Sequence, residues 1–505
     1  NKENRIILEE KKDDYLYKKN KSNLNISFNR ISFIFFVFFI LFVIFSIHLL
    51  HLGGQKDKTN IQSNLNSLNK LYRADLIDRN GKYIVKTIRS IDIGISPKKI
   101  INEKKLLLNL KYIFPNKNYL EVKERIAKGK FFYFEKKISE ENYEKLMQLG
   151  DKSIEARDNL TRIYPQQNLF SHIIGQIDDE NNGISGLEKS LDKKLKKTQH
   201  PIKLTVDKDI QFLIRSELIR FNQIFNSKGS AAILMNVNNG EIISMVSLPD
   251  FDPNQRKDIS NKIYINRATK GVYEFGSVFK TFTLAAAFNE EIISPQTKLV
   301  NLPKSLMCAG FPIREYDDKI PSNLTAEQIL IRSGNIGSVR IGQKVGEEKF
   351  RLFLSKIGIL NKIDFDIEEV GEPLKINWGK CPLATASFGH GITTTLLQLA
   401  KAYSIIVNGG YDINPKLIKH DYTNHKKKIL EKNVSKKILP ILRKIVTTKE
   451  GTASLANVPG YQIGGKTGTA QKSQAGIYSK NKINTFVSIF PTSAPKFVLA
   501  IMLEN

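Results

Sequence analysis

The clearest pattern along the chain is an unbroken apolar one. From Ile31 to Leu52 the sequence reads ISFIFFVFFILFVIFSIHLLHL, with no Asp, Glu, Lys or Arg. A helix needs about 20 such residues to cross a bilayer, and the apolar core of a cleavable signal is shorter. Gly53-Gly54-Gln55-Lys56 offers no small-x-small cleavage site, and nothing in the segment is polar enough to face water from a core helix. The pattern predicts an uncleaved transmembrane anchor at 31–52 behind a cytoplasmic tail at 1–30. Lys18, Lys19, Lys21 and Arg30 precede it, against Lys56 and Lys58 beyond, a bias that puts the N-terminus inside and everything after Leu52 outside. The sequence opens on Asn rather than Met, as a fragment lacking its natural terminus would.

Beyond the anchor the pattern alternates. A polar stretch from Gly53 to Asn69 reads as a stalk. Leu76 to Val85 places Asn80-Gly81 between two short apolar-polar runs, the strongest short-range hairpin signal. Residues Ile101 to Gly150 read as mixed and partly helical. Arg162-Ile163-Tyr164-Pro165, His172-Ile173-Ile174-Gly175 and Gly183-Ile184-Ser185-Gly186-Leu187-Glu188 each read alone as turn and capping chemistry, with His172 a structural histidine. The basic run Lys193, Lys194, Lys196, Lys197 marks a boundary, giving domains at 53–198 and 199–505. After it, Leu204 to Asp207 predicts a strand that enters a helix over Ile210 to Phe221. Ser230 to Met235 and Glu241 to Ser247 predict two strands around Asn238-Asn239-Gly240. Thr485 to Pro491 and Lys496 to Leu503 predict another pair. Strands at both ends with helices between them point to an antiparallel sheet covered by helices.

Composition changes this picture little. Hydrophobic residues at 41% and charged residues at 25% are those of a globular protein. The net charge of +28 is unusual, yet there is no zinc-finger spacing, RNA-binding aromatic signature or helix-turn-helix. Lys is spread along the whole chain, so compositional drift accounts for much of the charge and nucleic acid is not expected as a partner. Cys308 and Cys381 form no CxxC or Cys/His cluster, so no metal is expected. They would be free to pair in an oxidising compartment, but the simpler reading is two unrelated buried thiols.

Candidate chemistry begins at Ser277-Val278-Phe279-Lys280, which follows Gly276 and opens a helix-favouring run. Residues i and i+3 share a helix face, so the Lys280 amine is expected within reach of the Ser277 hydroxyl, beside free first-turn N–H groups. That suits an activated nucleophile with half an oxyanion hole. Lys280 can act as base only with a pKa well below about 10.4, and burial or a second cation would lower it. The same Ser-x-x-Lys spacing recurs at Ser67/Lys70, Ser96/Lys99, Ser190/Lys193 and Ser479/Lys482, so alone it says little. Two further elements single out Ser277. Ser333-Gly334-Asn335 falls between helical segments, the first opened by the capping-box pattern Thr325-Ala326-Glu327-Gln328. Ser333 is placed to relay a proton and Asn335 to bind a substrate amide. Lys466-Thr467-Gly468-Thr469 follows Gly464-Gly465 on an expected strand, where glycines let an extended peptide add alongside. Lys466 and the Thr467 and Thr469 hydroxyls would meet a carboxylate there, and the Thr469 N–H would complete the oxyanion hole.

The ordered set S-x-x-K, S-x-N and K-T-G resembles that of penicillin-binding proteins and class A β-lactamases, and is identified by that resemblance rather than from spacing. The likeness covers nearly everything after the anchor. Asn266-Arg267-Ala268-Thr269, Tyr273 to Ser277, Phe388-Gly389-His390-Gly391, Leu397 to Ala400, Val446 to Ala453 and Gly460 to Gln471 are similar to class B penicillin-binding proteins. Arg73, Asp78 to Gly81, Arg162, Tyr164-Pro165, His172, Gly175 and Gly183 to Glu188 resemble their noncatalytic pedestal. Phe275 and Leu396 stand where many relatives carry Pro.

The resemblance implies an α+β pedestal and a DD-peptidase/β-lactamase-like transpeptidase domain, an antiparallel sheet flanked by helices with an all-helical subdomain. Within class B it is greatest to the septal peptidoglycan D,D-transpeptidase of Gram-negative bacteria, through Met245 to Asn254 and Asn266 to Thr283. It implies peptidoglycan stem peptides as substrate, β-lactams as inhibitors, and divisome partners including a polytopic membrane glycosyltransferase, with no cofactor. The alternatives are an elongation-specific class B enzyme, a β-lactamase or β-lactam sensor, for which Glu372 with Asn377 is a poor imitation of a hydrolytic base, and an idle division scaffold.

Overall fold

The computed structural model describes residues 28, 30–51, 72–255, 262–419, 427–474 and 477–505. Residues 1–27 and 29 of the expected tail, the stalk and Leu52 lie outside the described residues. A helix spans Arg30–His51, 22 residues of mean hydropathy 3.0, long and apolar enough to cross a membrane.

Residues from 72 onward belong to one compact unit. The Asn-Gly signal makes the hairpin between β1 (Leu76–Ile77) and β2 (Tyr83–Ile95). Asp78 Oδ1 accepts from the backbone N–H of Asn80 and of Lys82, both at 2.8 Å, while Gly81 supplies the positive φ of +86°. β2 is the trunk of a five-stranded sheet that also holds β3 (Phe132–Ile138), β4 (Ile154–Ile163) and β5 (Ile202–Lys203). Helices Glu103–Ile113, Tyr119–Ala127 and Glu140–Gln148 start at Asn102, Asn118 and Ser139, whose side chains accept first-turn N–H groups. They pack on a separate core around Leu110, Phe134 and Ile93. The turn motifs near Arg162 and Glu188 prove to have a shared purpose. Glu188 accepts from Arg73 (2.7 Å) and Arg162 (2.8 Å), and Arg73 also reaches Asp192 at 2.5 Å.

The second domain is built on β6 (Gly229–Asn236) and β7 (Ile242–Leu248), joined across the chain to its last strands. Between them, β8 (Lys298–Leu299) pairs with β11 (Leu324–Thr325), and β9 (Ser305–Cys308) forms a hairpin with β10 (Phe311–Arg314). The closing strands β12 (Gly464–Gln474), β13 (Ile477–Phe490) and β14 (Phe497–Glu504) complete an antiparallel sheet ordered β12-β13-β14-β6-β7. Helix Lys208–Phe225, capped by Asp207, covers one face through Leu218 and Ile214. Helices Lys280–Asn289, Leu396–Val407 and Lys432–Thr447 contribute to the main core. Leu396 is the first residue of its helix, a position that proline also suits, and Thr395 and Gln398 form a capping box there.

Two expectations fail: the strand expected over Leu204 to Asp207 forms instead at Ile202–Lys203, and the cysteines pair. Cys308 and Cys381 are not unrelated thiols but a disulfide, with Cα atoms 5.5 Å apart and a separation of 73 positions in sequence. It ties the β9–β10 hairpin to helix Lys380–Ala386. Such a pairing depends on the meeting of two distant segments, which no local spacing encodes.

Candidate active site

Ser277 lies in a short 3-10 turn, Gly276–Phe279, that runs straight into the buried helix Lys280–Asn289. The Tyr403 hydroxyl donates to Val278 O at 2.7 Å and fixes the turn from below. Glycines allow three segments to touch here. A Cβ on Gly468 would sit 2.2 Å from Phe275 O, and one on Gly389 would sit 2.0 Å from Gly276 O. The K-T-G strand and the Phe388-Gly389-His390 loop therefore press directly on the backbone of the Ser277 turn.

The other Ser-x-x-Lys pairs that can be followed have plain structural uses. Ser96 and Lys99 both bond Glu155 Oε1, and Ser190 donates to Asp366 O.

Ser333-Gly334-Asn335 has a specific backbone origin. Helix Ala326–Ile331 opens with the expected Thr325–Gln328 capping box and closes with Ser333 N–H bonded to Leu330 O and Gly334 N–H to Ile329 O. That is a Schellman closure with Ser333, at φ +57°, in the left-handed position usually given to Gly. The chain then turns at once into helix Asn335–Val345, so the Ser333 and Asn335 side chains project from adjoining helix ends.

Both lysines converge on this loop. Lys280 Nζ donates to Ser333 O (2.5 Å), Asn335 Oδ1 (2.6 Å) and Ser333 Oγ (3.2 Å). Lys466 Nζ donates to the same Ser333 Oγ at 2.9 Å and to Thr467 O at 3.0 Å. The expected Lys280–Ser277 hydrogen bond is not made among the described residues, because the three loop oxygens hold the amine. Both side chains are buried, at 1% and 0% exposure. Burial pushes the Lys280 amine down to about 7, with the Glu315 carboxylate pulling the other way. Burial, then the neighbouring Lys280 charge, hold Lys466 well below the ordinary lysine range. A neutral Lys280 is a competent base near neutral pH.

β12 is an edge strand, paired on one side with β13 and bordering the Ser277 turn on the other. Ser277, Ser333, Asn335, Thr467, Gly468 and Thr469 all line one cleft of about 520 Å³. Lys280 and Lys466 lie beneath its wall. The eight residues named from sequence thus meet at one place.

Three residues there were given no role from sequence, although Thr452 falls within the Val446 to Ala453 run. Thr452 Oγ1 sits 2.7 Å from Thr467 Oγ1 and faces the cleft, as does Tyr316. Glu315 accepts from the backbone N–H of Asn335 (2.6 Å) and Ile336 (2.9 Å). None belongs to a spacing pattern, since each acts across a tertiary contact.

Comparison with known proteins agrees with this geometry. Residues 230–505 match the penicillin-binding protein transpeptidase domain, and residues 69–217 match the penicillin-binding protein dimerisation domain. The chain is 29% identical over 500 residues to the peptidoglycan D,D-transpeptidase FtsI of Buchnera aphidicola, covering 89% of this chain and 85% of that one. It is 27% identical over 452 residues to the probable peptidoglycan D,D-transpeptidase FtsI of Caulobacter vibrioides, covering 86% and 76%. It is 28% identical to stage V sporulation protein D of Bacillus subtilis, covering 86% and 74%. The fold is that of a mycobacterial penicillin-binding protein 3 solved with aztreonam, with a TM-score of 0.68 at 23% identity over 86% of this chain and 90% of that one. With a dimerisation-type domain ahead of a transpeptidase domain, the chain belongs to the class B penicillin-binding proteins.

Proposed function

We propose that the chain is a septal peptidoglycan D,D-transpeptidase whose nucleophile is Ser277. The observation that carries the reading is the pair of buried lysines sharing Ser333 Oγ beside Ser277 in a single cleft. Ser277 Oγ attacks the carbonyl of the D-Ala-D-Ala bond of a stem peptide while the neutral Lys280 amine takes its proton. The Ser277 and Thr469 N–H groups receive the developing oxyanion. Lys280 returns the proton through Ser333 to the leaving amine, and the terminal D-alanine departs. An amine of a second stem, such as that of diaminopimelate, then displaces Ser277 to form the cross-link. Asn335 holds a substrate amide. Lys466, Thr467, Gly468 and Thr469 form the edge on which the peptide lies and its carboxylate is held. β-Lactams acylate the same serine.

The apolar helix is the anchor, with the N-terminus cytoplasmic, the pedestal at 53–198 and the transpeptidase domain at 199–505 both outside. A disulfide at Cys308–Cys381 suits an oxidising compartment. The septal role is supported by the FtsI names of two relatives, and divisome proteins with a polytopic glycosyltransferase are the partners that such a role would bring. Labelling with a fluorescent penicillin tests the chemistry, with wild type expected to label and Ser277→Ala expected to stay dark. Equal labelling of both would sink the assignment. Uniform sidewall distribution of a tagged protein, rather than enrichment at septa, would favour the elongation-specific reading.

A further inference from the structure

Three consecutive residues, Arg314 at the end of strand β10 and the two that follow it, each grip the chain between Arg332 and Ile336. Arg314 offers its carbonyl to Asn335 Nδ2 at 2.8 Å, and the Tyr316 hydroxyl donates to Arg332 O at 2.9 Å. Between them, Glu315 uses both carboxylate oxygens on the first-turn N–H groups of helix Asn335–Val345. Those donors are ordinarily satisfied by the residue just before the helix. Here that residue is Gly334, which has no side chain to cap with, although its φ of −65° would suit any residue. A Cβ there would meet Glu315 Oε1 at 3.6 Å, ordinary van der Waals contact. A local Ser or Asp cap would therefore fit. The cap is instead a carboxylate from a different segment, and the disulfide fastens that segment through β9.

We propose that Glu315 is a positioning residue for transpeptidation, holding the Asn335 end of its helix so that Asn335 Oδ1 and the Ser333 oxygens keep the Lys280 amine in place. The path is short: Glu315 bonds Asn335 N, and Asn335 Oδ1 accepts from Lys280 Nζ at 2.6 Å. Two ionisable groups lie beside Lys280 from neighbouring elements: Glu315, whose negative charge favours the ammonium form, and Lys466 on β12, which shares the Ser333 hydroxyl and is itself held below the ordinary lysine range by burial and by Lys280. Glu315 therefore acts on both the place and the protonation of Lys280, and a purely structural cap would do neither.

The inference rests on the roles given above to Ser277 and Lys280. Its test is the rate of acylation of the full chain by fluorescent penicillin across the neutral pH range, for wild type, Glu315→Gln, Glu315→Ala and Glu315→Asp. Glu315→Ala is expected to slow acylation on the order of 100-fold, as when a reacting group is slightly misplaced. Glu315→Asp is expected to recover most of the rate. Glu315→Gln, nearly isosteric and folded even where the alanine variant is not, is expected to move the rise of the pH profile to lower pH. A wild-type profile in Glu315→Gln, or a loss without rescue by Asp, would overturn the proposal. Wild type that never labels would instead overturn the assignment of Ser277, so the two failures are distinct.

Discussion

The pedestal and the cleft both bury charged side chains completely, yet they handle them in opposite ways. In the pedestal, Arg73, Arg162 and Glu188 are at most 1% exposed. Each guanidinium faces a carboxylate, and Arg162 Nη1 also bonds the carbonyls of Arg73 and Ala74 and the Thr87 hydroxyl. In the cleft, Lys280 and Lys466 are buried to the same degree, but the oxygens that receive their hydrogen bonds are a hydroxyl, an amide and backbone carbonyls. Glu315, the carboxylate whose charge acts on Lys280, spends its oxygens on backbone N–H groups. A buried cation with an opposite charge stays ionised and fixes structure. Without one it gives up its proton and becomes a base. Compensation rather than burial separates architecture from chemistry.

The widest test of that distinction removes one member of each set. Lys280→Met keeps the bulk of the side chain and deletes the amine. Penicillin acylation is expected to fall by about 10²–10⁴-fold, the range for losing a general base, with a small change in melting temperature. Glu188→Gln leaves the buried Arg162 without its counter-charge and Arg73 with Asp192 alone, and about 3–5 kcal/mol of stability should go with it. The fraction that remains folded should still label at Ser277. Thermal melts and labelling on the same samples decide it. A large stability loss in Lys280→Met with little in Glu188→Gln would invert the comparison.

The two regions were unequally legible. The sheet, its paired end strands, the Asn80-Gly81 hairpin and the Thr325 cap follow from local periodicity and turn chemistry, and each stands where the pattern placed it. The cleft was legible because its residues fall into three motifs whose order resembles a known set. The pedestal residues could be picked out by resemblance, but not their pairing: Arg73 and Glu188 lie 115 residues apart, and nothing local joins them. Glu315 and the Cys308–Cys381 bond were invisible for the same reason. Nor could helical spacing reveal that the Lys280 amine turns to Ser333 and Asn335, since those acceptors come from another helix pair.

Acidity separates the two regions further. Lys280, held down to about 7, should make acylation rise with pH and level off above that value. A rate still climbing through pH 9 would mean that the amine titrates near its ordinary value of 10.5. Asp192 behaves in the opposite sense. Burial raises its pKa, but hydrogen bonds from Arg73, Lys196 and Gly183 N–H prevail and bring it to about 2 from 3.8. Its folded-state pKa is depressed, so its contribution is complete above 3.8 and is lost as pH falls through about 2. Unfolding followed as pH falls should show that loss in wild type and not in Asp192→Asn.

The smallest effect concerns the backbone that presents Ser333. Its φ of +57° occupies the position a glycine would take without cost, and a residue with a Cβ is destabilised there by about 1 kcal/mol. The hydroxyl that justifies this is the one both lysines bond. Ser333→Gly and Ser333→Ala remove that hydroxyl equally, so both should lose transpeptidation to a similar extent. Only the glycine variant also relieves the left-handed backbone, and it should melt above the alanine variant by the equivalent of about 1 kcal/mol. Equal melting of the two would mean that the loop stores no strain. A glycine variant that is more stable yet inactive would show that the cleft keeps a less favourable backbone for the sake of one oxygen.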